Sequence, residues 1–239
     1  MIPLNQSYRI QATLDAYPEL KRIYEKYLLF IKQKTDFPAT GGRAYDFAMA
    51  MHTVTMMGMD VCEVGSRGSF LPPFLLPYVN EYHASDFFQG WGDFGDMACW
   101  KDKWERNSGM VEKLHVSTED MRHLTYPDNR FDVVMSFSSI EHIRENGDIV
   151  AAREMGRVCK PGGFVIIGTD MAQTHCQPAG YCYDEESLFT RIIRPTGCEL
   201  VGPYDFSWGM ADHYKHRTID EFEYTSCIFV LQKPKEGDC

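Results

Sequence analysis

From Asp60 onward the chain alternates short apolar runs with helix-forming stretches, and this rhythm restricts the fold more than any other feature. Strands are expected at 60–64, 81–84, 113–116, 131–137, 163–169, 199–204 and 226–232, with helices between most of them, notably at 148–159 and 184–194. Parallel strands need long crossovers, so alternating strand and helix predict an α/β fold: a parallel sheet with helices on both faces. The first 58 residues read differently, as helical. Leu20, Ile23, Tyr24, Tyr27, Leu28 and Ile31 fall on one helical face behind Pro18, a first-turn proline. "FPATGG" breaks that helix, and Ala44, Phe47, Ala48 and Met51 line a second one ending near Gly58. The expected division is a helical cap or lid at 1–58 and a binding domain at 59–239. Two stretches stand outside the rhythm: the Trp-rich 87–110 and the polar 206–224. Both read as loops or short helices grafted onto the sheet, where function often resides.

The formal net charge of -10 disfavours nucleic acid and anionic membrane as partners held by bulk charge. The eight cysteines are scattered without paired spacing, as reduced thiols of a cytoplasmic protein are. The opening "MIPLNQSYRI" lacks the features of a signal peptide, and no apolar run approaches the ~20 residues of a membrane-spanning helix.

The first strand of the alternating region runs into "DVCEVGSRGSF". Ligands of open α/β sheets bind at the carboxyl ends of strands. Gly65 and Gly68 stand there, and without Cβ atoms they permit a sharp turn against a ligand. Asp86 follows about 20 residues later, where an acid accepts hydrogen bonds from ribose hydroxyls. A plain strand-to-helix turn and a nicotinamide site are the alternatives. The nicotinamide fingerprint is G-x-G-x-x-G, whereas here the spacing is G-x-x-G, Ser69 follows, and Glu63 stands two residues before the first glycine. Glu63 suits a cation better than a pyrophosphate, so the ligand should carry an amino group and little negative charge.

With "EDMRHLTYPDNRFDVVMSFSSIEHI" and "EMGRVCKPGGFVIIGTD" downstream, the chain from Asp60 to Phe206 resembles the small-molecule branch of the class I S-adenosylmethionine-dependent methyltransferases. The resemblance implies a Rossmann-like, mostly parallel sheet of seven strands with helices on both faces and the last strand antiparallel. It implies S-adenosylmethionine as cofactor and S-adenosylhomocysteine as product. Glu63, Gly65, Ser66 and Gly68 would line the amino-acid half of the cofactor, and Asp86 would hold the ribose. Asp120 would receive the adenine amino group, with Met121 beside it and Glu119 near. Ser136, Phe137 and Ser138 would cover the methionine portion, with Glu141 and His142 on the rim. The chain departs from the family at Ser69, at Pro72, Pro73 and Pro77 in the first helix, and in the long insertion after Asp86.

Methyl transfer to a hydroxyl needs alignment and removal of a proton, and histidine is the usual base. His142 is the candidate here, although it also fits a residue that merely orders its loop. His175, His213 and His216 are rivals. "HYKH" beside Asp212, and the Cys and His of "THCQPAGYCY", lack the ligand pattern of a metal site, so no metal is expected. Trp91, Trp100, Trp104, Tyr181, Tyr183, Tyr204, Trp208 and Tyr214 read mainly as packing, with a few available to stack on a flat ring. The expected acceptor is a small molecule or glycan, methylated at a hydroxyl oxygen, and the protein a possible homodimer. The alternatives are a protein methyltransferase and a methyltransferase-like fold serving as a non-catalytic partner.

Overall fold

The computed structural model describes residues 5–34, 41–88, 95–175, 182–212, 214–215, 223–235 and 237 of the chain. The elements run β1 (Asn5–Ser7), α1 (Ile10–Ala16), α2 (Pro18–Lys34), α3 (Gly41–Thr53), β2 (Asp60–Val64), α4 (Leu71–Leu75) and β3 (Glu81–Asp86). They continue through α5 (Met97–Ser108), β4 (Leu114–Thr118), β5 (Phe131–Phe137), α6 (Gly147–Val158) and β6 (Cys159–Met171). The last are α7 (Glu185–Ser187), widening into a π-type turn over Leu188–Ile193, then β7 (Glu199–Leu200), β8 (Tyr204–Asp205), β9 (Tyr214–Lys215) and β10 (Glu223–Gln232). Among the described residues the strands form one sheet in the order β4-β3-β2-β5-β6-β10-β1-β8, with β7 and β9 also on β10. The pairs from β4 to β6 are parallel and β10 runs antiparallel to β6, the expected Rossmann-like arrangement.

Both faces of the sheet are buried, because neighbouring apolar residues of each strand point to opposite sides. Val61, Val133 and Ile166 face the layer of α1–α5, while Cys62, Val134 and Ile167 face α6 and the 185–196 helix. The N-terminal helices therefore supply one of the two layers. Tyr27 packs edge-on against Phe47 at 5.1 Å and Phe74 at 5.0 Å, and Phe47 reaches Phe137 of β5 at 5.0 Å.

The reading of 1–58 as wholly helical is corrected at its start, where β1 lies inside the sheet between β10 and β8. The strand expected at 199–204 is split into β7 and β8, with Gly202 at φ +79° between them. Asn5 fills the interruption. Its side-chain amide donates to Val201 O at 2.7 Å and accepts from Val230 N–H at 2.7 Å, replacing ladder bonds that a continuous strand would make. These additions take the sheet beyond seven strands.

The prolines and tryptophans also resolve locally. Pro72 and Pro73 sit in the first turn of α4, where a missing N–H costs nothing, and α4 is only five residues long. The Trp-rich stretch contains α5, capped by the Asp96 carboxylate accepting from Cys99 N–H at 2.9 Å and ended by Gly109 at φ +67°. Trp100 and Trp104 are fully buried, and Trp104 Nε1–H donates to Ser69 O at 2.8 Å. Both are core residues that pin the glycine turn.

Candidate cofactor cleft

At the carboxyl end of β2 the chain must reverse sharply toward α4. Gly65 and Gly68 do this with φ of +78° and +88°, a region that costs other residues about 1–2 kcal/mol. The N–H groups of Gly65 and Ser66 both donate to Ser85 O, at 2.8 and 3.0 Å, tying the turn to β3. A Cβ on Gly65 would lie 2.3 Å from Ser139 Oγ and 2.4 Å from Ser139 Cβ, so the loop after β5 closes directly onto this glycine. Ser139 Oγ bridges Gly65 O and Phe137 O, each at 3.1 Å.

Asp86 ends β3. Its Oδ2 accepts from Arg67 N–H at 3.1 Å and its Oδ1 from Phe88 N–H at 2.8 Å. One amide from each flanking loop thus orients the carboxylate, and each oxygen keeps a lone pair for a ligand donor. After β4, Glu119 takes the Thr125 N–H at 3.0 Å and the Thr125 hydroxyl at 2.7 Å, which folds the 119–125 loop back on itself. Glu154 of α6 supports the same loop through Leu124 N–H at 2.9 Å. Asp120 is gripped by Arg122, whose Nη2 lies 2.6 Å away; this hydrogen bond holds the carboxyl below its ordinary range. After β5, Ser138 adopts φ +48° and donates its N–H to Gly168 O at 2.9 Å.

These loops enclose a cavity of about 630 Å³, within the range of small-molecule sites. Of the expected site residues, Gly65, Asp86, Glu119, Asp120, Met121, Ser138 and His142 line it. His142 is exposed on the one-turn helix Ile140–His142. Other expected site residues lie outside the lining. Ser66 is buried and its hydroxyl donates to Ser85 O at 3.1 Å. Glu63 lies on the layer side of the sheet and accepts from Tyr82 O–H at 2.7 Å. Glu141 is buried and accepts from Thr169 Oγ1–H at 3.1 Å. Phe137 packs on Phe47, and the buried Ser136 hydroxyl has no hydrogen-bond partner among the described residues. Gly68 shapes the turn without lining the cavity.

Sequence reasoning missed Arg67, Ser85, Phe87, Arg122, Ser139 and Arg144 in the lining. Arg67 was legible in principle, because a side chain between two turn glycines projects beside whatever the turn approaches. Three arginines balance Asp86, Glu119 and Asp120, so the lining carries little net charge. Of the rival histidines, His175 stacks on Tyr183 at 5.7 Å and does not line the cavity. His213, His216, Cys176, Trp91 and Tyr181 lie outside the described residues. Behind the β5 loop, Tyr8 O–H donates to Asp46 of α3. A Cβ on Gly168 would come within 2.9 Å of the Asp46 carboxylate, so only glycine lets α3 seat there.

The donor set fits S-adenosylmethionine. Asp86 offers acceptors for ribose hydroxyls, Asp120 for an adenine amino group, and Arg67 a cation for a carboxylate. A dinucleotide fits less well, since Ser69 occupies the third-glycine position and its hydroxyl accepts from Leu71 N–H at 3.1 Å. Fold and cleft together are like those of the class I, S-adenosylmethionine-dependent methyltransferases.

The comparisons with known proteins agree. Residues 63–167, from within β2 to within β6, match the model of the methyltransferase domain. Methyltransferase GfsG of Streptomyces halstedii is 32% identical over 62 residues, 26% of this chain and 22% of the relative. The match thus spans about a fifth of that relative's length. The [4+2]-cyclase SpnF superposes with a TM-score of 0.62 at 17% identity, covering 84% of this chain and 86% of the other. Burkholderia thailandensis 1,6-didemethyltoxoflavin-N1-methyltransferase, with bound 1,6-didemethyltoxoflavin and S-adenosylhomocysteine, superposes with a TM-score of 0.61 at 11% identity. That match covers 92% of this chain and 90% of the other. At such identities the structural likenesses establish the fold. No helix among the described residues is long and apolar enough to cross a membrane.

Proposed function

We propose that this protein is an S-adenosylmethionine-dependent methyltransferase that methylates a hydroxyl oxygen of a small-molecule or glycan acceptor. The observation that carries the reading is Asp86, held by one amide from each flanking loop at the wall of a 630 Å³ cavity. When bound, the cofactor supplies an activated methyl group on a sulfonium. Asp86 binds the ribose hydroxyls, Asp120 and the Met121 backbone take the adenine edge, and Arg67 receives the carboxylate. Gly65 and Ser138 let the backbone lie against the methionine portion. Glu63, Ser66, Ser136, Phe137 and Glu141 act from beneath, holding the strand ends that carry the lining residues. His142, exposed on the rim, accepts the proton of the attacking hydroxyl. The near-neutral lining supports a small uncharged acceptor over a nucleic acid, and the name of the toxoflavin enzyme supports a small-molecule class. The division into a cap at 1–58 and a methyltransferase domain at 59–239 belongs to this reading. So does a cytoplasmic setting, which suits the six free cysteines among the described residues.

Calorimetric titration with S-adenosylhomocysteine tests the site. One-to-one binding that disappears in Asp86→Ala is expected, and unchanged affinity in that variant refutes the assignment. A second reading, a cofactor-binding fold with other or no chemistry, is favoured by the cyclase named among the structural neighbours. Loss of label from methyl-labelled S-adenosylmethionine to an acceptor separates the two.

A further inference from the structure

We propose that Glu81, His83 and His115 form a binding site for a divalent transition metal of the zinc type, at the opposite end of β3 from Asp86. His83 of β3 and His115 of β4 are direct register partners on adjacent parallel strands. Glu81 lies two residues before His83, so the strand's period of two puts all three side chains on one face. Their ligand atoms lie within 4.8 Å of one another.

Zinc bound tetrahedrally by nitrogen and oxygen at ~2.0–2.1 Å needs ligand atoms about 3.4 Å apart. His83 Nε2 and Glu81 Oε2 already stand 3.4 Å apart. The remaining gap is to His115, an exposed residue on the edge strand β4, whose ligand atom already lies within 4.8 Å of the other two. The two imidazoles now stack, with centroids 4.4 Å apart and planes at 23°, so both rings are on the same side of the strand pair. Three protein ligands leave the fourth position to water.

The surroundings resemble those of a built site. The edges of Phe131 at 5.0 Å and Tyr126 at 5.6 Å confine the His83 ring. Arg130 holds Glu81 Oε2 at 2.5 Å and Asp60 Oδ2 at 2.8 Å, fixing the carboxylate as an outer-shell partner does. Around the cluster, Asp60 and Asp132 offset Arg130 and Lys160 two to two, so the ligand carboxylate of Glu81 leaves the site one net negative charge. A bound ion would clip the edge strand β4 to β3. It would also stiffen the strand pair from which Asp86 and the 119–125 loop emerge.

The test is titration of the metal-stripped full chain with ZnCl2 by calorimetry, with CoCl2 spectra in parallel. His115 is exposed, so His115→Ala should leave the fold intact, and Glu81→Gln preserves the shape of its side chain. One tight equivalent is expected in the wild type, weakened at least tenfold in each variant. Cobalt spectra should lack a thiolate charge-transfer band, and thermal denaturation should shift upward with Zn²⁺ only in the wild type. Equal Zn²⁺ affinity in wild type and both variants, no binding, or a thiolate band on the tight equivalent overturns the proposal.

Discussion

Replacing Gly65 by alanine probes whether the turn after β2 is held by conformation, by contact or by both. The residue stands at φ +78°, which costs an alanine about 1–2 kcal/mol. Its new Cβ would sit 2.3–2.4 Å from Ser139 Oγ and Cβ, well inside contact distance. Relief requires moving the β5 loop, which is anchored by Ser138 N–H on Gly168 O at 2.9 Å, and such overpacking costs about 1–3 kcal/mol. Gly65→Ala should therefore lose about 2–5 kcal/mol of stability. Because the displaced Ser138 and Ser139 line the cavity, S-adenosylhomocysteine affinity should fall at least tenfold, about 1.4 kcal/mol. The double variant Gly65→Ala/Ser139→Gly removes the clash but not the backbone strain. It should regain the contact part and still fall short of Ser139→Gly alone by about 1–2 kcal/mol. Urea denaturation of all four proteins measures this, with calorimetry for the ligand. A Gly65→Ala protein as stable as wild type, or a double variant no better than the single one, refutes the argument.

In the proposed site Asp86→Ala removes the acceptor for two ribose hydroxyls, worth about 1.5 kcal/mol each with a charged partner, so S-adenosylhomocysteine should bind about 100-fold more weakly by calorimetry. His142→Ala should lower kcat about 100-fold while leaving cofactor affinity unchanged, since the residue is exposed and its proposed task is proton removal; an unaltered kcat places the base elsewhere. Glu154 is held below the usual carboxylate range mainly by its hydrogen bonds to Arg157, with Leu124 N–H adding to them. Its folded pKa being depressed, the stability it contributes is present above its unfolded value and is lost as pH falls through its folded one. Urea midpoints measured from pH 7 down through the acid range should decline less steeply in Glu154→Gln than in wild type, and parallel profiles would contradict this.

Much of the cofactor side was readable without coordinates, because it is built from short-range requirements. Short apolar runs alternating with helix-forming stretches located β2, β3, β4, β5, β6 and β10 to within a few residues. The wish for positive φ identified Gly65 and Gly68, and the acid at the end of the next strand identified Asp86. Asp96 and Gly109 bound α5 by local capping, whereas the sequence reading of 87–110 as loops or short helices gave no bounds for it. Trp100 and Trp104, read mainly as packing, are indeed fully buried.

What the chain order hides is any contact between distant segments. Gln6 pairs with Ile228, and Asn5 bonds across to Val201 and Val230, so an N-terminal stretch with no strand signature becomes part of the sheet. Glu63 and Glu141 carry charge and stand in the right motifs, but strand pleat and burial turn both away from the cavity, toward Tyr82 and Thr169. Arg67, Ser139 and Arg144 enter the lining because loops after different strands meet there. His83 and His115 stand 32 residues apart and meet only through the register of β3 on β4. Local preferences act over a few residues and are written along the chain. Which strand ends meet, and which polar group faces the cavity rather than the core, follows from packing two helical layers onto one sheet, a property of the whole chain at once.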